Sequence, residues 1–484
     1  MFHRAIAPAR PGFVPGKEYN ARMCAGIIKC DAVPRSRLQG DSPANTFKST
    51  PGELVSIAMA KQWINVAAVG TGHIFADAHR KAYTNAASTN NVVVALCDIR
   101  KDLVEEQLKI LKKEYEKQLV KVKKKENAAQ AERIKFGLDH LKSFTDFGKM
   151  LDAVEGNCDL VDNCTPGRTH VPLSVQAMEH GYHAMAEKPP GLNWWDVKRL
   201  VDAEKRTGKC YQLNENVCYE RPVQAMRRVI ANGDLGAVVE IDVHFGHGGP
   251  YVGYHFGESG LPHFIDPVWS GGGCLQDLAP HGISRAFWPV GTGAKVLSCT
   301  TKILERRQAP RMMSGKPFDN KLDDYAEAEL EMWDPRTKRP FAMKVTTSWC
   351  GGFAFPFSIE GEKGTMSIGH DPQRKVYAPV IFADDGDKYF PLDEDNWDPF
   401  EGYAREVQIF CENLLHGKPS NTPAEYALRL QECLSIQYFS KLVKKKVTIE
   451  EMEEWGAGIA AKNKSYQDGV DEIAKALTGA VDLK

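Results

Sequence analysis

"INVAAVGTGHIFADAHRKAY", residues 64–83, is an apolar run that ends in two closely spaced glycines and opens at once into a helical pattern. It reads as strand, tight turn and helix. Gly70 and Gly72 allow a sharp turn and close approach of a ligand to the backbone. The helix that follows offers free N–H groups and the positive end of its dipole, so the segment can cradle a pyrophosphate. His73 and Ile74, at the start of that helix, are counted with the loop as cofactor-binding. Phe75 stands where glycine or alanine is usual, which implies looser packing of helix on strand.

Outward from this segment the pattern repeats. "NVVVALCD" (91–98), "CDLVDNCTP" (158–166) and "YHAMAEKP" (182–189) are further short apolar strands. "THVPLSVQAMEHG" and "NWWDVKRLVDAEKRTG" are helical stretches between and after them. Apolar strands alternating with amphipathic helices imply a parallel sheet covered on both faces, here an α/β Rossmann domain over residues 63–215. Asp98 ends the second strand at about the spacing where a carboxylate binds ribose hydroxyls. It would repel a 2′-phosphate, so NAD is favoured over NADP, with Arg100 the one feature on NADP's side. Residues 102–142 exceed an ordinary crossover and read as a protruding helical insertion with a solvated lysine face.

The 484 residues suffice for two or three domains with real cores. The 62 basic and 63 acidic residues nearly cancel, so no global field draws in nucleic acid or an anionic membrane. No apolar run is long enough to span a bilayer. Twelve scattered cysteines lack zinc spacing, so no metal is expected, and they read as buried thiols of a reducing compartment. Without an apolar signal segment, the cytoplasm is the expected location. Residues 1–62 are rich in Pro, Gly and small polar residues and read as an extended arm, either a disordered tail or a strap across a neighbouring subunit.

The second half, residues 216–484, opens on the amphipathic helix "RPVQAMRRVIANGDLG". "VVEIDVHFGH", "KVLSCTTKIL", "DYAEAELEMW", "PFAMKVTTSW", "PFSIEGEKGTMSIG" and "KVYAPVIFA" then read as successive strands, with two good helices near the end. This is an α+β domain with a large, mostly antiparallel open sheet. An apolar outer face on that sheet would be an association site, giving a homodimer or homotetramer.

Two stretches carry chemistry. The strand at 182–186 ends at the carboxyl edge of the parallel sheet, where ligands bind. Glu187, Lys188 and Pro189 follow it, and Pro189 stiffens the turn and is open to a cis bond. In "WSGGGCLQDLAPHGISRAFW" (269–288), three glycines let backbone approach a ligand and lead into a helix. Asp277 and His281 are four apart and share a helix face, where the carboxylate can orient the imidazole and raise its basicity. "FGHGGPYVGYHFGESGLPHFIDPVW" (245–269), rich in Gly, His and aromatics, reads as a loop over the cleft.

From about residue 63 to 445 the chain resembles the Gfo/Idh/MocA oxidoreductases. The resemblance rests on Gly70-x-Gly72, "CTPGRTH" (164–170), Glu187-Lys188-Pro189, "GDLG" (233–236) and "GGGCLQDLAPH" (271–281). It implies NAD(P)-linked chemistry on a sugar, glycoside or cyclitol. It maps catalytic roles onto Lys188, Asp277 and His281, and cofactor contacts onto Thr165, Pro166 and His170, with Glu187 and Lys188 beside them. It also implies that another subunit packs on the second domain's sheet. The expected reaction is oxidation of a secondary hydroxyl, with His281 as base and Lys188 polarising the oxygen. The alternatives are a redox-neutral NAD-dependent glycosidase and a non-catalytic dinucleotide-binding regulator.

Overall fold

The computed structural model describes residues 61–85, 87–250, 262–307, 311–313, 316–318, 320–351, 357–393 and 401–483. The N-terminal arm, apart from its last two positions, lies outside the described residues. So does the middle of the loop over the cleft, residues 251–261.

Six strands form the first sheet: β1 (Ile64–Val69), β2 (Asn91–Cys97), β3 (Lys142–Phe144), β4 (Leu160–Asn163), β5 (His183–Glu187) and β6 (Tyr211–Asn214). Their order is β3-β2-β1-β4-β5-β6, and every pairing is parallel. β1 and β2 are buried along their whole length. Burial on both faces is why their sequences run apolar without alternation. The strand order reverses between β1 and β4, so a crevice opens there at the carboxyl edge of this Rossmann sheet.

Phe75 does not loosen the layer above β1. It is fully buried, within a π-helical turn (Phe75–His79) that precedes α1 (Arg80–Thr84). The wider turn takes in the bulky ring where a glycine would give close packing in an ordinary helix.

The insertion is two helices, not one protruding helix. α2 (Lys101–Lys124) and α3 (Ala128–His140) pack against each other, and the Asn127 side chain caps α3 by accepting the Gln130 N–H. Val104, Leu111 and Tyr115 of α2 are buried. Tyr115 Oη accepts the Val93 N–H of β2 at 2.9 Å, so this helix belongs to the sheet's covering layer. Lys121, Lys123, Lys124 and Lys125 near the tip are exposed. α4 (Phe147–Ala153), α5 (His170–Glu179) and α6 (Trp194–Thr207) complete the crossovers.

After α7 (Arg221–Ala231), the second sheet starts with β7 (Val238–Gly246). The short α8 (Pro267–Ser270) and the long α9 (Cys274–Val290) follow. Then come β8 (Lys295–Arg306), a small hairpin of β9 (Arg311–Met313) and β10 (Lys316–Phe318), β11 (Tyr325–Asp334), β12 (Arg339–Ser348), β13 (Phe357–Gly361), β14 (Gly364–Asp371), β15 (Val376–Phe382) and β16 (Lys388–Tyr389). Helices α10 (Glu401–Leu415) and α11 (Ala424–Val443), strand β17 (Val447–Thr448), helices α12 (Ile449–Ala460) and α13 (Tyr466–Thr478) and strand β18 (Asp482–Leu483) close the chain. The sheet order is β16-β15-β14-β13-β7-β12-β11-β8-β17, with β18 also on β8. It is mostly antiparallel, the exceptions being β7 with β12 and β8 with β18. "PFSIEGEKGTMSIG" is a hairpin, β13 and β14, rather than one strand.

α9 and α11 cover one face of this sheet, meeting rows such as Ile241, Met343 and Leu330. The other face is not the apolar surface expected. Strand register lines up Asp242, Lys344 and Glu329 in one row and Glu240, Ala342 and Glu331 in the next. Lys344 Nζ bonds Glu240 at 2.7 Å, and Lys302 pairs with Glu329. Alternation here separates an apolar inner face from a charged outer one. α10 belongs to neither face: its Val407, Phe410 and Cys411 join Val66, Ala68 and Val94 in the core of the first sheet.

Candidate active site

Five loops at the carboxyl edge of the first sheet converge with the start of α9. Gly70, after β1, has φ +85°, and a Cβ there would lie 2.6 Å from the Cys164 carbonyl carbon and the Thr165 nitrogen. Only glycine passes at that distance. A Cβ on Gly72 would meet nothing within 4 Å. That side of the loop is open, and the first-turn N–H groups of the helix beyond it have no intrahelical acceptor. A pyrophosphate fits this arrangement. His73 pairs with Asp77 at 3.0 Å, and Ile74 packs half-buried on the sheet's core.

Asp98, after β2, is tied to the same loop. One carboxylate oxygen accepts Thr71 N–H at 2.7 Å and Thr71 Oγ1 at 3.2 Å; the other accepts Arg100 N–H at 2.8 Å. Ile99 beside it is an apolar side chain left 89% exposed. After β4, Thr165 Oγ1 donates to Asn163 Oδ1 at 2.5 Å and accepts from Thr169 Oγ1 at 2.7 Å. Pro166 leads from there into the Gly167–Thr169 turn.

His170 sits under these loops rather than in the crevice. It is 1% exposed, with its ring nitrogens 2.7 Å from the Pro189 carbonyl oxygen and 2.5 Å from that of Thr165. Burial holds its pKa below the ordinary value against the pull of both carbonyls. It ties the β4 and β5 loops together, so its ring nitrogens face backbone rather than the cofactor side where they were expected.

Successive strand residues point to opposite faces, and this separates Glu187 from Lys188. Glu187 turns inward to His79 at 2.8 Å and is 5% exposed, which removes it from the cofactor side. The Lys188–Pro189 peptide is cis, and Lys188 enters the cleft. Lys188 Nζ donates to Asp277 Oδ1 at 2.7 Å and to the Asp277 carbonyl at 3.1 Å. Burial would lower the lysine pKa, but the Asp277 carboxylate outweighs it and holds it above the ordinary value. For Asp277, burial works upward and is outweighed by Lys188 and His247, so its pKa lies below the usual carboxylate range. Lys188 is therefore an ammonium at neutral pH.

Asp277 does not orient His281, despite the shared helix face. Its oxygens are taken by Lys188 and by Trp349 Nε1, which donates to Oδ2 at 3.0 Å. The imidazole instead has its Nδ1 2.5 Å from Glu215 Oε1, from the loop after β6. Nε2 is left without a protein partner among the described residues. The three glycines before α9 also serve a different purpose from the one expected. A Cβ on Gly273 would lie 1.9 Å from the Asp323 carbonyl oxygen, and one on Gly272 would lie 2.2 Å from Tyr438 Oη. They let the chain pass against protein, not ligand. Asp323 then caps α9 by accepting the N–H groups of Gly273 at 3.0 Å and Leu275 at 2.8 Å.

Glu215 and Trp349 were not found from the sequence. Glu215 had a signal, as an acidic residue one position past the sixth strand; Trp349 had none. We expect Glu215→Gln to lower kcat by about tenfold or more, part of the 100- to 10,000-fold that a positioned base contributes. KM and melting temperature should stay near wild type. Steady-state kinetics check this, and an unchanged kcat would remove Glu215 from the site.

Both halves of the chain match known proteins. Residues 64–215 match a family profile described as "Oxidoreductase family, NAD-binding Rossmann fold", and residues 223–367 match "GFO/IDH/MocA C-terminal domain". The uncharacterized oxidoreductase YdgJ of Escherichia coli is 30% identical over 274 residues, 56% of this chain and 70% of that protein. The D-glucoside 3-dehydrogenase of the same organism is 25% identical over 234 residues, 48% of this chain and 56% of its own length. An alpha-N-acetylgalactosaminidase of Tannerella forsythia is 29% identical over 351 residues, 66% of this chain and 69% of that protein. Among solved structures, an NAD-binding oxidoreductase from Klebsiella pneumoniae superposes with a TM-score of 0.62 at 18% identity, covering 80% of this chain and 99% of that one.

Proposed function

The chain belongs to the Gfo/Idh/MocA oxidoreductase family, and from that premise we propose that it oxidises a secondary hydroxyl of a sugar, glycoside or cyclitol, using NAD. The observation that carries this reading is an ammonium, Lys188, held by Asp277, and an imidazole, His281, one turn further along the same helix, whose Nδ1 is held by Glu215. Gly70, Gly72, His73, Ile74, Thr165 and Pro166 would hold the dinucleotide, with Asp98 on its ribose. When bound, the dinucleotide supplies the hydride acceptor. His281 Nε2 takes the proton from the substrate hydroxyl. Lys188 stabilises the negative charge growing on that oxygen. Asp277 keeps Lys188 charged and aimed. Phe264, its ring 5.9 Å from Lys188 Nζ, offers an apolar face for a sugar ring.

A screen of polyols, aldoses and glycosides for reduced cofactor tests the reaction. Net NADH with one class supports it. Glycoside cleavage without net NADH, or no turnover of any kind, overturns it. Cofactor choice is a separate expectation: Asp98 should make NAD bind at least about tenfold more tightly than NADP, about 1.4 kcal/mol. Titration of both checks it, and tighter NADP binding defeats it.

No helix among the described residues is long and apolar enough to cross a membrane. Among the described residues, Cys97, Cys164, Cys218, Cys274 and Cys411 are buried free thiols, which favours work in the cytoplasm. We also propose a homodimer or homotetramer joined through the outer face of the ten-stranded sheet. Its rows of Glu and Lys favour a polar, salt-sensitive contact. Light scattering at low and high salt checks this; a monomer at both removes it.

A further inference from the structure

Behind the cleft, on the side of β5 away from Lys188, a histidine and three carboxylates meet in the core. His79 comes from the π turn, Asp162 from β4, Glu187 from the end of β5 and Glu406 from α10. All four are at most 5% exposed. Asp162 is saturated. It accepts from Tyr83 Oη at 2.7 Å, Asn214 Nδ2 at 3.4 Å and Cys164 Sγ at 3.6 Å, and it faces His79 Nδ1 at 2.8 Å. With Nδ1 committed to Asp162, Nε2 of His79 faces Glu187 Oε1, 2.8 Å away. Glu406 completes the group. It is fully buried, and neither of its oxygens has a hydrogen-bond partner among the described residues. One donor atom each from His79, Glu187 and Glu406 lie within 4.8 Å of one another.

A buried carboxylate with no partner is costly unless a charge or a proton answers it. Here two carboxylates face one imidazole, and a divalent cation would cancel both charges. Nitrogen and oxygen donors bind such an ion at about 2.0–2.2 Å, which sets neighbouring donors of a tetrahedron about 3.4 Å apart, so His79 Nε2 and Glu187 Oε1, now 2.8 Å apart, separate by about half an ångström to admit it. A metal-bound histidine normally gives its other N–H to a carboxylate, and Asp162, itself fixed by three donors, is that carboxylate. The opposite side, around Nδ1 and Cys164, has no comparable unanswered group.

We propose that His79, Glu187 and Glu406 bind one divalent first-row cation of the zinc type, with the second Glu406 oxygen available for a fourth position. The site is closed and structural. It clamps α10 to the π turn and to the end of β5, and it is independent of the reaction assigned above. The rival occupant is a proton on Glu406.

The test uses the full chain, refolded from denaturant with zinc or with EDTA and dialysed in the folded state. Elemental analysis should find about one zinc per chain in the wild type, resistant to EDTA until unfolding. The zinc-refolded protein should melt about 5 °C or more above the EDTA-refolded one. Glu406→Gln keeps the side chain's shape and should hold below about a tenth of an equivalent, with no zinc-dependent shift. Wild type retaining less than about a tenth of an equivalent overturns the site. So does Glu406→Gln that binds zinc like wild type. A Glu406→Gln protein that melts above zinc-refolded wild type assigns the proton instead.

Discussion

Lys188→Ala and His281→Ala should each lose about 100- to 10,000-fold in kcat while NAD(H) binding stays within a few-fold of wild type. Neither side chain touches the glycine loop, so the dinucleotide's anchor survives both changes. The two variants should differ in their cause. Without Lys188, the buried Asp277 carboxylate loses its 2.7 Å partner and keeps only Trp349 and the more distant His247. That variant should therefore also lose stability, because an unpaired buried charge is expensive. Lys188→Met, of similar length and uncharged, should be as inactive, showing that charge and not bulk is needed. For His281, truncation leaves Glu215 Oε1 without its partner, while Lys188 and Asp277 stay paired. Tryptophan or cofactor fluorescence gives the NAD(H) affinity, and single-turnover rates give the chemistry. Activity within a few-fold of wild type in both alanine variants would take them out of the mechanism.

Gly70→Ala should be the most damaging small substitution in the first sheet. Its φ of +85° is strained for any side chain, costing about 1–2 kcal/mol. The added methyl would also meet backbone atoms of Cys164 and Thr165 at 2.6 Å, atoms that cannot rotate away. Overpacking of this kind costs about 1–3 kcal/mol, so a total of about 2–5 kcal/mol is expected in urea unfolding. The crevice between β1 and β4 would widen as well, and NAD(H) affinity should fall. Gly72→Ala is the control. Open space around its Cβ position and an ordinary φ predict a stability change within about 0.5 kcal/mol, but weaker dinucleotide binding, because the methyl stands where the backbone meets the ligand. If Gly70→Ala unfolds like wild type, the turn is looser than its geometry implies.

The first sheet was legible because its signals are local. An unbroken apolar run, two glycines and a helical pattern sit within twenty residues, and the same alternation then recurs. Lys188 became a candidate through the rule that ligands gather at the carboxyl edge of a parallel sheet, and Asp98 through its spacing from the glycine loop. His281 was found on a helix face, but its partner was misassigned. Spacing brings Asp277 and His281 to one side of α9, yet it cannot say that Lys188 and Trp349, far away in sequence, already occupy the carboxylate. Glu187 was read with Lys188 as a unit, although strand alternation sends neighbours to opposite sides. The GGG run was read as ligand-facing because a glycine signals close approach without naming what approaches. The charged outer face of the second sheet was overlooked because its Glu and Lys alternate with apolar positions that a fold reading uses first. His79, Asp162, Glu187 and Glu406 come from four separate elements, and no local pattern joins them.

The placement of α10 bears on how the chain comes to be folded. Val407, Phe410 and Cys411 fill the first sheet's core, yet Glu401 is roughly 190 residues after Asn214, the end of β6. At about 5–20 residues per second, a ribosome needs roughly 10–40 s to supply that helix after the sixth strand is made. Throughout that interval the nascent nucleotide-binding half carries an uncovered apolar face, along with His79 and Glu187 still awaiting Glu406. Such a half-built intermediate is a natural client for a chaperone that shields apolar surface. A stop codon near residue 400 should accordingly leave an aggregation-prone fragment rather than a self-standing dinucleotide-binding module.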